Sequence, residues 1–272
     1  MYSATIDHFS ELAAKKATAL RETPIAFLAA AAMAGAYIGI GIILMLSVAA
    51  TADPSLQKLL MGATFGIALT LVVFAGSELF TGHTMYMVLG WLSERTGVAD
   101  MLKVWTAVWL GNLAGAVGLA VIFVAGGGGE LLHAGQPLLI KVASYKMNGS
   151  PVELLARGIL CNWLVCLALW MCARTRSDAT KCIVIFWCLL AFIASGYEHS
   201  VANMTLFSIA LLGDHPESVS LAGMAHNLTW VTLGNTIAGA VFMAGGYWLA
   251  GDRRSSGQQP AFTPANPQPA ET

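Results

Sequence analysis

Two stretches of this chain carry polar groups where the surrounding residues are almost wholly apolar. The first, Ala194-Ser-Gly-Tyr-Glu-His-Ser-Val-Ala-Asn-Met204, sets Glu198, His199, Asn203 and two serines inside an apolar run from Cys182 to Gly213. An imidazole can donate a hydrogen bond to an anion and can exchange a proton near physiological pH, which suits a permeant weak acid or its anion. An ionised carboxylate at the centre of a bilayer costs about 2.5–3.5 kcal/mol on insertion scales, so Glu198 needs a partner, a proton or water. Its plainer reading is a cap, accepting backbone N–H groups of a helix that begins near Ser200. The second stretch, Ala75-Gly-Ser-Glu-Leu-Phe-Thr-Gly-His-Thr-Met85, offers Thr81. Its hydroxyl has one proton and two lone pairs, and we read it as capping a helix and donating to a solute. Neither stretch supplies a nucleophile or a metal-ligand set that would complete an enzyme site. The five cysteines form no C-x-x-C pair and read as buried thiols, and no metal or cofactor is expected.

The lengths of the apolar runs say how these groups are carried. A continuous helix from Cys182 to Gly213 would be roughly 48 Å long, against a hydrocarbon core of about 30 Å. Two full crossings do not fit. One crossing interrupted near Ser195-Gly196 does, and irregular backbone survives at that depth only where it lines a cavity or is buried in protein. The run from Leu59 to Ser93 is also too long for one span and is interrupted by Gly76-Ser77-Glu78. A broken membrane helix reads as a binding or permeation site. Half-helix amino termini aimed inward carry partial positive charge, which favours anions without any fixed ionic group.

The composition agrees with a membrane protein. The chain of 272 residues is 57% hydrophobic and 11% charged, far below the soluble norm of about 25% charged. A formal net charge of −1, with no basic stripe, argues against nucleic acid. Runs free of Asp, Glu, Lys and Arg mark six crossings: 25–52, 59–93 with Glu78 as its exception, 104–129, 158–173, 182–213 with Glu198 as its exception, and 218–251. Residues 1–22 read as an amphipathic helix at the interface, with Ile6, Phe9, Leu12 and Leu20 opposite Glu11, Lys15 and Lys16. Residues 23–251 read as one six-helix transmembrane domain, and 252–272, rich in Pro, Gln and Ala, read as a disordered cytoplasmic tail. Lys and Arg fall ten to four between alternate sides of the membrane, which predicts that both termini face the cytoplasm.

Interruptions at the second and fifth crossings imply a duplicated unit. So do Leu110-Gly111-Asn112 and Leu233-Gly234-Asn235 in the third and sixth crossings, each followed shortly by Gly-Ala-Val. Three crossings per unit is an odd number, so the halves must be inverted relative to each other. Asn112, Asn162 and Asn235 read as amides that hold backbone in place. Gly35-x-x-x-Gly39 and Gly111-x-x-x-Gly115 permit close helix approach, within a protomer or between protomers. By spacing alone Phe65, Leu69, Leu79, Val165 and Phe192 are ordinary apolar residues.

Taken together, Gly62-Ala-Thr-Phe-Gly66, Ser77-Glu-Leu-Phe-Thr-Gly-His83, Cys161-Asn-Trp-Leu-Val-Cys166, the stretch 194–204 and Leu233-Gly-Asn235 resemble the formate/nitrite transporter family. The resemblance covers about Thr23 to Trp248. It implies an aquaporin-like, all-α protomer of six transmembrane helices in two inverted three-helix repeats, a homopentamer with one pore per protomer, and a place in the bacterial inner membrane. It makes His199 the central pore histidine and Thr81 its counterpart in the second helix, with Glu198, Asn162 and Asn203 as polar positions around them. Lys146 resembles a lysine that makes a vestibule electropositive. Phe65 and Phe192 match one constriction, and Leu69, Leu79 and Val165 match another. The implied solute is a small monovalent anion, with nitrite first and formate or hydrosulfide as alternatives, possible linkage to protons through His199, and membrane lipid as the surrounding partner. An aquaporin-type neutral-solute pore would be expected to show paired Asn-Pro-Ala motifs. The only Asn-Pro pair here is Asn266-Pro267, which is followed by Gln268 in the tail.

Overall fold

The computed structural model describes residues 2–251; the expected tail, 252–272, lies outside the described residues. All regular structure among them is helical. Helix α1 (Ser3–Glu22) stops at Thr23, which precedes a proline and is therefore excluded from helical geometry, and Pro24 occupies the first turn of α2 (Pro24–Ala50). There follow α3 (Gln57–Ala75), α4 (Phe80–Leu92), α5 (Val98–Ala125), α6 (Gln136–Met147), α7 (Pro151–Ala173), α8 (Asp178–Ala194), α9 (Ser200–Leu212) and α10 (Leu221–Ile237). Helix α10 runs on without interruption through a π-helical segment (Ala238–Gly245) into α11 (Gly246–Ala250). Ser150, Ser177 and Ser220 cap α7, α8 and α10 by accepting from backbone N–H groups three residues on.

Among the described residues, five helical stretches are long and apolar enough to cross a membrane: α2, α3, α5, α7 and the continuous run Leu221–Ala250. Their outward faces carry large apolar side chains, among them Ile122, Val241 and Leu249, each more than half exposed. A soluble protein would bury such residues, so this is a membrane protein whose outer surface meets lipid or another protein. Helix α2 packs on α5 and α3, and α7 packs on α10 and α8. The Gly-x-x-x-Gly pairs serve the first of these contacts. A Cβ added at Gly35 would lie 2.0 Å from the Asn112 carbonyl oxygen, and one at Gly115 would lie 1.8 Å from that of Ala32. Both close approaches are therefore within the protomer, between α2 and α5.

Helix α1 does more than lie along an interface. Phe9 stacks on Tyr86 of α4, with centroids 4.8 Å apart, and on Trp170 of α7 at 5.7 Å. Ala13 fits against Gly90. Lys16, placed on the polar face by its spacing, turns inward and reaches Glu78.

Candidate functional site

Each interruption follows the same local recipe. Helix α3 ends on Gly76 at φ +73° and α8 is followed by Gly196 at φ +75°, a left-handed conformation that glycine adopts at no steric cost. Three residues after each glycine, Leu79 and His199 are extended, and α4 and α9 begin at the next residue. The exposed backbone of a buried loop has to be satisfied, because each unpaired group at that depth costs several kcal/mol. One amide does this at each break. The Phe80 N–H donates to Asn112 Oδ1 at 2.9 Å, and Asn112 Nδ2 donates to the carbonyls of Ala31 and Glu78 at 2.7 and 2.8 Å. Likewise the Ser200 N–H donates to Asn235 Oδ1 at 2.9 Å, and Asn235 Nδ2 donates to the carbonyls of Gly158 and Glu198 at 2.8 and 3.0 Å. The pairing extends to the glutamates, since the Glu78 and Glu198 N–H groups donate to the carbonyls of Ala30 and Arg157, both at 3.3 Å.

His199 and Thr81 meet between the two breaks, although 118 residues separate them: Thr81 Oγ1 lies 3.2 Å from His199 Nε2, and both side chains are buried. The other ring nitrogen has a duty that the sequence reading assigned elsewhere. His199 Nδ1 accepts the Ala202 N–H at 3.1 Å, so the histidine caps α9. That bond assigns the neutral tautomer: Nδ1 offers its lone pair and Nε2 carries the proton. Nε2–H then donates to Thr81 Oγ1, which leaves the threonine proton for another acceptor. Thr81 does not cap α4. The N-cap position is Leu79, and the first free N–H goes to Asn112.

Glu198 does not cap either. It is fully buried, accepting from Lys146 Nζ of α6 at 2.9 Å and from Asn203 Nδ2 at 2.7 Å through the same oxygen, Oε2. Asn203 also donates to Asn227 Oδ1 at 2.8 Å, and Asn227 donates to the Lys146 carbonyl at 2.8 Å. The ammonium of Lys146 is therefore held against a carboxylate. Glu78 has a matching arrangement on the first break. Lys16 Nζ donates to its Oε1, and His83 Nε2 lies 3.0 Å from its Oε2. Sequence reading missed Lys16, Glu78, His83 and Asn227 as members of the site. The available signal was the spacing: Glu78 to His83 and Glu198 to Asn203 are both five residues, each counted from a glutamate two residues after the left-handed glycine.

Asn162 of α7 links α4 to α10, donating to the Thr81 carbonyl at 3.2 Å, to Thr84 Oγ1 at 3.0 Å and to the Asn235 carbonyl at 2.6 Å, while its Oδ1 is buried without a hydrogen-bond partner. Beside it the π-helical segment brings Gly239 so near that a Cβ there would lie 1.9 Å from Thr84 Oγ1. The rings of Phe65 and Phe192 meet edge to face at 5.7 Å, and Phe192 stacks on His199 at 6.0 Å. Leu69 of α3, Leu79 of the break and Val165 of α7 are all buried. No cluster of three or more His, Cys, Asp or Glu side chains suited to a metal ion occurs among the described residues.

Comparison with known proteins gives this arrangement its context. A family model described as formate/nitrite transporter matches residues 3–249. The nitrite transporter NirC of Escherichia coli K12 is 51% identical over 250 residues, covering 92% of each chain. Among solved structures, an "FNT family ion channel" superposes with a TM-score of 0.89 at 50% identity, covering 92% of this chain and all of the other. A "pentameric formate channel with formate bound" gives 0.72 at 30% identity, covering 83% and 96%. These relatives are transporters and channels rather than enzymes. With a family model spanning nearly its full length and half its residues shared with a close relative, the chain belongs to the formate/nitrite transporter family.

Proposed function

We propose that the protein is a channel for small monovalent anions in the bacterial inner membrane, with nitrite as its principal solute. The observation that carries this reading is the buried contact between His199 and Thr81, bracketed by the amino termini of α4 and α9. A bare anion at that depth faces its largest dielectric cost. Two hydroxyl or imidazole donors and two helix termini offset part of it with neutral groups. Nitrite is favoured over formate by the 51% identity to a nitrite transporter.

In this reading Phe65 with Phe192, and Leu69, Leu79 and Val165, form constrictions on either side of the histidine and strip water from the solute. His199 then acts as a neutral donor through Nε2–H. Placing a second proton on Nδ1 would break the cap on Ala202, so a proton-linked mechanism through this ring has to displace α9's first turn. Asn162 fixes the Thr81 carbonyl, and Glu198 with Asn203 and Lys146 fixes the second break. The matched hydrogen bonds of Asn112 and Asn235 support six crossings arranged as two inverted three-helix repeats in the manner of aquaporins. The solved pentameric relative and the broad apolar outer surface support a homopentamer. The lysine and arginine distribution supports cytoplasmic termini, with residues 1–22 a separate helix and 23–251 the channel domain. Planar-bilayer currents with nitrite, formate and hydrosulfide in competition test the proposal. Saturable nitrite current that outlasts equimolar formate is expected, and preferential formate or hydrosulfide current would reassign the solute.

A further inference from the structure

The backbone carbonyl of Thr81 collects three side-chain donors. Thr84 Oγ1 donates to it at 2.6 Å, Asn162 Nδ2 at 3.2 Å and Cys166 Sγ at 3.4 Å, and all four residues are buried. Asn162 has two amide protons for three acceptors. One goes to the Asn235 carbonyl at 2.6 Å, and the other is shared between the Thr81 carbonyl and Thr84 Oγ1, which lies at 3.0 Å. Thr84 thus commits its proton to Thr81 and a lone pair to Asn162, so one hydroxyl joins the first turn of α4 to α7. The Thr81 backbone is fixed by groups from both helices. Its own hydroxyl, among the described residues, meets only His199.

The π-helical segment closes this arrangement from the other side. Three residues before it, the Asn235 carbonyl accepts both the Asn162 amide and the Ala238 N–H. A side chain inserted at a backbone carbonyl is one origin of a break in regular helical bonding, and π turns are frequent at functional sites. Here the wider turns run from Ala238 to Gly245 and lay Gly239 against Thr84. A Cβ on Gly239 would overlap the Thr84 hydroxyl, and would stand 2.8 Å from Thr84 Cβ and 3.0 Å from the Met85 nitrogen. Glycine at 239 leaves room for that hydroxyl and for nothing larger.

We propose that Thr84, seated between Asn162 and Gly239, is a positioning residue that sets the size of the anion admitted between Thr81 and His199. The proposal rests on the anion-channel reading above and deepens it, because it assigns selectivity to a residue behind the contact rather than in it. Thr81 Oγ1 and His199 Nε2, 3.2 Å apart, leave no space for a solute. A passing anion has to replace their bond and accept from both groups. The gap can open by rotation of the Thr81 side chain or by a shift of its backbone. Thr84 and Asn162 block the backbone shift, and a β-branched side chain has few rotamers, so the opening has a discrete width. That width suits a small bent anion such as nitrite and excludes one enlarged by a methyl group, such as acetate. Without the Thr84 hydroxyl the Thr81 carbonyl is free to retreat, and the gap widens.

Reversal potentials of the full-length protein in planar bilayers, with nitrite on one face and acetate on the other at neutral pH, test this. They give the acetate-to-nitrite permeability ratio, which a mere loss of folded channels does not move. Thr84→Ser and Thr84→Ala differ by one hydroxyl. Thr84→Ser should keep the wild-type ratio, and Thr84→Ala should raise it roughly two- to tenfold, the worth of one neutral hydrogen bond. Gly239→Ala, which displaces the same hydroxyl from the other side, should also raise the ratio, and it tests the assignment by itself if Thr84→Ala yields no channel. In the double variant the two effects should not add, since both act through one group. A wild-type ratio in Thr84→Ala or Gly239→Ala, or a Thr84→Ser channel that matches Thr84→Ala, would overturn the proposal. Wild-type protein that passes no nitrite at all would instead overturn the channel reading on which it rests.

Discussion

Two substitutions at position 199 separate the two duties of its imidazole. His199→Asn keeps a good N-cap, since an asparagine oxygen can accept from the second or third helical N–H, but removes the Nε2–H that faces Thr81. His199→Phe removes both. Losing the cap on Ala202 costs about 0.5–2 kcal/mol, or roughly 2–4 °C in melting temperature per kcal/mol for a chain near this length. Losing one hydrogen bond to a charged partner costs about 1.5–3 kcal/mol, which is roughly a ten- to hundredfold weakening of anion binding. Thermal unfolding in detergent and nitrite flux in proteoliposomes read the two effects separately. His199→Asn should melt near the wild type and His199→Phe several degrees lower, while both lose saturable nitrite flux. Wild-type flux and selectivity in His199→Asn would refute the donor role. Equal melting of the two variants would refute the capping role.

Other positions give equally direct outcomes. Lys146→Met leaves the buried Glu198 carboxylate without its cation and should destabilise the protein by about 3–5 kcal/mol; Lys146→Met with Glu198→Leu should recover much of that loss, which a double-mutant cycle in unfolding assays would register. Gly115→Leu drives a side chain into the Ala32 carbonyl, so α2 and α5 must part, at a cost of about 1–3 kcal/mol or more, visible as lost monodisperse material on size-exclusion chromatography. Asn235→Leu removes the acceptor for the Ser200 N–H and the donor to two carbonyls, and should abolish nitrite flux; normal flux would show that the second loop holds its shape without the amide. Phe192→Ala removes the ring that meets both Phe65 and His199 and should admit larger carboxylates such as acetate, measured as permeability relative to nitrite.

Much of this architecture is legible in the sequence because membrane insertion writes its demands locally. A hydrocarbon core of fixed thickness sets how long an apolar run can be, so the excess length of 59–93 and 182–213 revealed the interruptions, and the glycines that end α3 and α8 marked where they fall. The amides of Asn112 and Asn235 could be assigned to loop-holding because a buried polar side chain in a span has few other uses. Individual duties within the loops were not legible. From sequence a cap is the plainer reading of Glu198 and part of the reading of Thr81, yet His199 caps α9 and Asn112 serves the start of α4, because which acceptor reaches an orphan N–H depends on side-chain reach in three dimensions rather than on order along the chain. Lys16 was placed on a polar face by its helical spacing, whereas the docking of α1 against α4 turns it inward to Glu78. The chain's residue types and run lengths thus determined a membrane protein with two interrupted helices. Tertiary structure alone decided that Thr81 meets His199, and that Lys16 reaches Glu78, since each of those contacts joins residues from separate helices whose approach no local pattern encodes.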